Sequence, residues 1–222
     1  MERWTHRVEA LTDGVFAIAT TLLVLNLAVR SGLPHQEFLA AVRALGPKVL
    51  AYVVSFLVIA VYWIGHHNQF FWIRHVDRTL IWITTFFLMA IAFIPFSTSL
   101  IADYPSEVLA VLIYGTNVML AGVALLIHWR YASGPGKLVA QPMDPRLSAI
   151  TSRRIVLGIG YYAVGTLLAF ISPIVSVILF AGLPLPYFLR SSEIDREIKR
   201  RQTGVGHGSG SHGQGDRPPF GE

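Results

Sequence analysis

The sequence predicts an all-α integral membrane protein with six transmembrane helices per subunit. Of its 222 residues, 53% are apolar and only 14% are charged, whereas about a quarter of the residues of a soluble domain are charged. The apolar residues form long runs, and a helix of about 20 such residues spans a bilayer. Because lipid offers no hydrogen bonds to the backbone, these runs are expected to be helical.

Six hydrophobic segments are predicted to cross the membrane, with a short amphipathic helix between the first and the second. The amphipathic helix is predicted over residues 36–48, where Phe38, Leu39, Val42 and Leu45 recur at helical spacing. Pro47 is expected to break or kink the chain between this helix and the second span. The six spans are predicted at residues 11–29, 49–65, 80–102, 108–129, 155–172 and 174–189.

The last two spans are predicted to form a hairpin rather than one kinked helix. Residues 155–189 contain no charge and have Pro173 near their middle. With six spans and the N-terminus inside, all of the 18 Lys and Arg fall on the cytoplasmic side except Arg30, Arg43 and Lys48. Positive residues accumulate in cytoplasmic segments, so Pro173 is expected at a turn, with both termini cytoplasmic.

The chain divides by composition into a membrane domain and a tail. Residues 1–190 are predicted to form the six-helix domain, with a polar cytoplasmic loop over residues 130–154. Residues 191–222 form a basic and then Gly-, His- and Ser-rich cytoplasmic tail, expected to be disordered from about residue 204.

Composition argues against several functional classes. The chain has no cysteine, which removes disulfides, thiolate chemistry and cysteine metal sites. Its net charge of +5 is explained by the cytoplasmic loops, so no nucleic-acid partner is predicted. No Gly-rich phosphate loop, nucleophile elbow or carboxylate pair is present, so we predict no enzymatic activity, catalytic residue, cofactor or metal.

The first span carries an apolar stripe and an aspartate on different faces. At about 100° per residue, one stripe passes along the helix, and Asp13 falls roughly opposite. Thr21 lies beside the stripe. Most such stripes contact other helices or lipid. The stripe consists of Leu11, Val15, Ile18, Leu22, Leu25 and Val29.

A polar cluster is predicted between the first two spans at the cytoplasmic side. Asp13 begins the first span, and the second ends in His66, His67 and Asn68. An unpaired buried charge is costly, so Asp13 is expected to be buried with Arg7 or these three residues as donors. We interpret the cluster, which also includes Thr12, as structural, holding the first helix against the second.

The histidines leave one alternative open. His66 or His67 lies at a depth that would allow pairing with His128, and haem iron takes axial histidines placed across a helical bundle. A non-channel membrane protein that binds haem or metal through histidines is therefore the alternative.

Three motifs, in order, resemble the prokaryotic branch of the transmembrane protein 175 family of potassium channels. The family hallmark Arg-x-x-x-Phe-Ser-Asp reads Arg7-x-x-x-Leu11-Thr12-Asp13 here. The segments Trp63-x-x-His66-His67-x-x-Phe70 and Ala92-Phe-Ile-Pro95-Phe resemble the family's second and third helices. The resemblance covers residues 7–189.

The resemblance implies a homotetramer in membrane lipid that conducts potassium ions through a central pore lined by the first helix. The family has no Thr-Val-Gly-Tyr-Gly filter, and bulky apolar side chains form the constriction instead. The alternative within the channel class is a proton-permeable channel. By position, the resemblance assigns the constriction to Ile18, Leu22 and Leu25, with a hydroxyl layer at Thr21.

Overall fold

The computed structural model describes residues 2–134, 138–139 and 145–182, with side chains from residue 5 onward. Within these ranges the chain is helical and contains no strand apart from an isolated bridge between Ile73 and Val139. The helices are α1 (Glu2–Leu22, extended by a 3-10 turn, Leu23–Asn26), α2 (His35–Ala44), α3 (Gly46–Phe70), α4 (Arg78–Asp103), α5 (Val108–Ala132), α6 (Pro145–Leu167, extended by a 3-10 turn, Leu168–Phe170) and α7 (Pro173–Gly182).

Five described helical segments are long and apolar enough to span a membrane: α1, α2 with α3, α4, α5 and α6. The short helix α2 and its break before α3 match the prediction, although the break falls at Leu45 and Pro47 opens α3. Helix α3 continues to Phe70, beyond the predicted end at residue 65. Polar residues such as His66 and Gln69 extend the helix past its apolar run, which hydropathy cannot detect.

The first helix ends earlier than predicted. Regular α-helix stops at Leu22 and a 3-10 turn follows, so the prediction of one helix to residue 29 is wrong. Thr20 and Thr21 donate their hydroxyls back to main-chain carbonyls one turn earlier, a bond that competes with regular helix. The Asn26 side chain then donates to the carbonyl of Pro95 in α4 at 3.3 Å, which ties down the irregular end.

The predicted hairpin at Pro173 is present. Helix α6 gives way to a 3-10 turn, and α7 begins at Pro173 and runs back along α6. The Tyr161 hydroxyl donates to the carbonyl of Leu179 at 2.6 Å, which only a hairpin allows. Helix α6 begins at Pro145, so the predicted loop over residues 130–154 is wrong in its last part. The sixth span beyond Gly182 and the whole tail lie outside the described residues.

Helix α5 lies at the centre of the described bundle and contacts α3, α4, α6 and α7. One apolar cluster joins it to α1, α3 and α4 through residues such as Phe16, Leu23, Ile59 and Phe87. A second joins it to α3, α4, α6 and α7. Helix α1 contacts only α3 and α4 extensively among the described helices, so it lies at the margin of the subunit.

Hydroxyl and amide groups also join the central helices. Thr98 of α4 donates to the hydroxyl of Ser55 in α3 at 2.8 Å, and Ser55 lies 3.2 Å from the Tyr114 hydroxyl of α5. Asn117 of α5 donates to Ser97 of α4. Hydrogen bonds of this kind, together with close packing, hold helices together in lipid, where no hydrophobic effect drives them to associate.

Candidate pore helix and the polar end of the bundle

Helix α1 has a buried face and an uncovered face. Thr12, Phe16, Ala19 and Leu23 recur every three or four residues and pack against α3 and α4. Leu23, the last of them, is completely buried. This face fixes the rotation of α1 in the subunit and therefore decides which side chains point away.

The predicted pore residues point away from the subunit. Ile18 is 60% exposed, Leu22 is 42% exposed and Leu25 is 68% exposed. Leu11 of the same stripe is exposed as well, whereas Val15 is half-buried against the core. Leu25 lies in the 3-10 turn, so its direction departs from the position that a continuous α-helix would give it.

Thr21 lies on the uncovered side with its hydroxyl already oriented. The hydroxyl donates to the carbonyl of Ile18 at 2.9 Å. Because a hydroxyl has one hydrogen and two lone pairs, this bond uses the hydrogen and leaves oxygen acceptor capacity. Thr21 therefore presents a partly negative oxygen next to the exposed Ile18 and Leu22 side chains.

Asp13 links α1 to α3 through a residue that the sequence analysis did not assign. Its Oδ1 accepts a hydrogen bond from the indole Nε1 of Trp63 at 2.8 Å. Asp13 is exposed in the isolated chain, so its burial in the assembled protein stays a prediction. Trp63 lies one turn before His66 in the motif quoted above, so the sequence contained the hydrogen-bond donor to Asp13. It was not assigned because tryptophan in a membrane helix is usually read as an apolar residue.

The predicted members of the polar cluster differ in burial and in whether they line the cavity between α1 and α3. Thr12 and His66 are buried, and the side chains of Asp13 and His67 also line the cavity between α1 and α3 at this end. Arg7 and Asn68 are exposed and do not line this cavity. His67 stacks on Trp63 with ring centroids 5.6 Å apart.

His66 and His128 lie together, as their predicted depths suggested, and their ring centroids are 5.1 Å apart. The His128 Nδ1 lies 2.7 Å from Gln69 Oε1, while Gln69 Nε2 faces the carbonyl of Leu125. An amide oxygen only accepts, so His128 carries its proton on Nδ1. The His66 ring stacks on Phe87 with ring centroids 5.3 Å apart. The two histidines therefore lie within an aromatic cluster that also contains Phe70.

Two hydrogen bonds between helices at this site were not predicted from the sequence. Gln69, which lies within hydrogen-bond distance of His128, ends the polar run His66-His67-Asn68-Gln69, and the run does not show which of its members meets His128. Asn26 binds Pro95 across 69 positions of sequence. The sequence shows that these polar residues lie in or beside predicted spans, which indicates that they need hydrogen-bond partners. It does not show which partners they have, because that depends on how the helices are rotated.

Comparison with known proteins identifies the family of the chain. A sequence profile described as "Endosomal/lysosomal potassium channel TMEM175" matches residues 7–95, which contain α1 to α3 and most of α4. The chain is 35% identical to a potassium channel of Streptomyces collinus over 75% of this chain and 82% of that protein. The chain belongs to the TMEM175 family.

Other TMEM175 proteins extend the match to the whole bundle. A potassium channel of Chamaesiphon minutus is 32% identical over 85% of this chain and 95% of that protein. The crystal structure of a lysosomal potassium-selective channel TMEM175 homologue from that organism superposes with a TM-score of 0.75, at 30% identity, covering 85% of this chain and 98% of the other. The family resemblance predicted from the motifs is confirmed, as is the all-helical membrane fold.

Proposed function

We propose that the chain is the subunit of a homotetrameric potassium channel in the prokaryotic plasma membrane, with α1 lining a central pore. The observation that carries the proposal is the continuous apolar face that α1 leaves uncovered at Ile18, Leu22 and Leu25. The names of the prokaryotic relatives, potassium channels of Streptomyces collinus and Chamaesiphon minutus, support the choice of ion.

The proposed constriction works by size and hydrophobicity. Rings of Ile18, Leu22 and Leu25 around the axis form a narrow apolar passage, and such a passage gates by expelling water. An ion that passes sheds part of its hydration shell, and the Thr21 oxygen replaces some of the lost contacts. Partial dehydration favours potassium over sodium because potassium holds its water less strongly.

Two hydrogen bonds attach α1 to its neighbours near its two ends, which supports a gate that moves in the part of the helix between them. The Trp63 to Asp13 bond lies at the cytoplasmic end, and the Asn26 to Pro95 bond lies at the other end. Between these ends the uncovered residues carry no interhelical hydrogen bond among the described contacts. Opening is expected to rotate or splay this middle part while both ends stay attached.

Ion flux into liposomes tests the proposal. Purified protein is expected to pass potassium faster than sodium, and Ile18→Ala is expected to raise flux and reduce the difference because it widens the ring. Leu120→Ala is the matched control, since Leu120 is 58% exposed in the middle of α5 and outside the proposed pore. Unchanged flux and selectivity in well-assembled Ile18→Ala would contradict the pore assignment.

Proton conduction is the second candidate, because a human relative carries the name endosomal/lysosomal proton channel TMEM175. That protein is 32% identical over 57% of this chain, which spans only 28% of the human protein. A pH-sensitive dye inside the same liposomes separates the two functions. Potassium flux without dye response assigns potassium, and a dye response with no potassium flux assigns protons.

A further inference from the structure

A second site lies between α1 and α3, away from the proposed pore. A cavity of about 160 Å³ opens between the two helices near the end of α3. Helix α1 contributes Glu9, Thr12 and Asp13 to its wall. Helix α3 contributes Trp63, His66 and His67, with Phe70 behind them.

Two buried polar atoms in this wall have no hydrogen-bond partner among the described residues. They are Thr12 Oγ1 and His66 Nε2, and their residues are only 2% and 3% exposed. A buried polar atom left unpaired costs free energy, so such atoms in native proteins call for a ligand or water. One unpaired atom belongs to each helix, and both residues line the same cavity.

The remaining wall carries negative charge and aromatic faces. Glu9 and Asp13 are carboxylates, and the bond from Trp63 uses only one of several acceptor positions on Asp13. Trp63 and His67 stack with their ring planes 23° apart, and both line the cavity together with these carboxylates. Carboxylates together with aromatic faces attract a cation, and aromatic faces favour organic ammonium groups in particular.

We infer that this cavity binds a small primary ammonium group. Such a group has three N–H donors, which match Thr12 Oγ1, a neutral His66 Nε2 and the Asp13 carboxylate. The cavity, at about 160 Å³, has room for such a group. The described residues contain no group of three His, Asp or Glu placed to hold a metal ion. The inference is independent of the proposed pore.

Thermal unfolding of the purified full chain in detergent tests this site. Methylammonium chloride is expected to raise the unfolding temperature with saturation, beyond the effect of sodium or potassium chloride at equal concentration. Thr12→Val removes one of the three acceptors and is expected to raise the half-saturating concentration about tenfold. Glu9→Gln removes a negative charge from the wall of the cavity and is expected to raise the half-saturating concentration as well.

Two control variants outside the cavity should bind methylammonium as the native chain does. Glu37→Gln removes an exposed carboxylate on α2, and Thr85→Val removes a hydroxyl that bonds within α4; both should keep the native half-saturation. Equal shifts with all three salts, or unchanged binding by Glu9→Gln and Thr12→Val, would overturn the inference and leave water as the occupant.

The ammonium group can come from a free amine or from a lipid headgroup, and nanodiscs separate the two sources. Methylammonium should raise the unfolding temperature in discs of phosphatidylglycerol alone. If phosphatidylethanolamine occupies the site, adding that lipid suppresses the shift. If a free amine occupies it, the shift persists in both kinds of disc. No shift in either kind of disc overturns the inference.

Discussion

Helices α1 and α5 are both long and apolar, yet they occupy opposite positions in the subunit. In its most apolar stretch, 28% of α1 is buried, against 50% of α5. Helix α5 pairs its polar residues inside the protein, as Asn117 does with Ser97. Helix α1 places Asp13 and Thr21 on exposed positions. Hydropathy identifies both helices as membrane spans. The placement of their polar side chains distinguishes them, because α5 pairs its polar groups inside the protein and α1 carries polar groups at exposed positions.

The strongest contrast lies within the end of α1 itself, between Leu23 and Leu25. Leu23 is completely buried, so Leu23→Ala should destabilise the protein by roughly 2–5 kcal/mol through lost burial and a cavity. Leu25→Ala removes the same atoms from a side chain that is 68% exposed and should change stability little while altering ion flux. Thermal unfolding of both variants checks the first point, and liposome flux checks the second.

Equal destabilisation by Leu23→Ala and Leu25→Ala would mean that the outer face of α1 is packed as tightly as its inner face. That result would locate Leu25 in a subunit contact rather than in a pore. A rise of flux in the Leu25 variant without any change in stability would support its place beside the ion path.

Glycines sharpen the same comparison with one identical substitution in each helix. A Cβ at Gly115 of α5 would collide with Thr166 Oγ1 of α6, so Gly115→Ala should cost about 1–3 kcal/mol through overpacking. A Cβ at Gly14 of α1 meets nothing within 4 Å in the subunit. Gly14→Ala should therefore fold normally, as judged by thermal unfolding.

Size-exclusion chromatography measures whether the Gly14→Ala and Gly115→Ala variants still assemble. If Gly14→Ala folds but fails to assemble, a neighbouring subunit approaches α1 closely at Gly14. If Gly115→Ala proves as stable as the native chain, α5 is not the tightly packed centre described above.

The hydrogen bond at the polar end of α1 should have a smaller effect. Trp63→Phe keeps an aromatic ring but removes the donor to Asp13, and an exposed hydrogen bond of this kind contributes about 1 kcal/mol. Thermal unfolding should show this modest loss, and Trp82→Phe, at another exposed tryptophan, should show almost none. A loss of the whole fold in Trp63→Phe would mean that Asp13 is buried in the assembled protein.

The sequence predicted the existence of the helices well because the membrane imposes a simple rule of length and apolarity. It missed where α3 and α6 end or begin, since His66 to Phe70 and Pro145 to Arg154 continue as helix beyond the apolar run. It identified Ile18 and Leu22 on one stripe, because helical periodicity fixes relative direction. It missed Trp63 as the partner of Asp13, because pairing between helices depends on their rotation and depth.

Cysteine accessibility tests most directly whether the uncovered face of α1 contacts water rather than lipid. The native chain contains no cysteine, so a single introduced thiol reports its own position. Ile18→Cys and Leu120→Cys replace side chains that are 60% and 58% exposed in the subunit. In liposomes, a charged, membrane-impermeant thiol reagent is expected to modify Ile18→Cys and block potassium flux while leaving Leu120→Cys unmodified. Equal protection of both cysteines in an active channel would contradict a pore lined by α1.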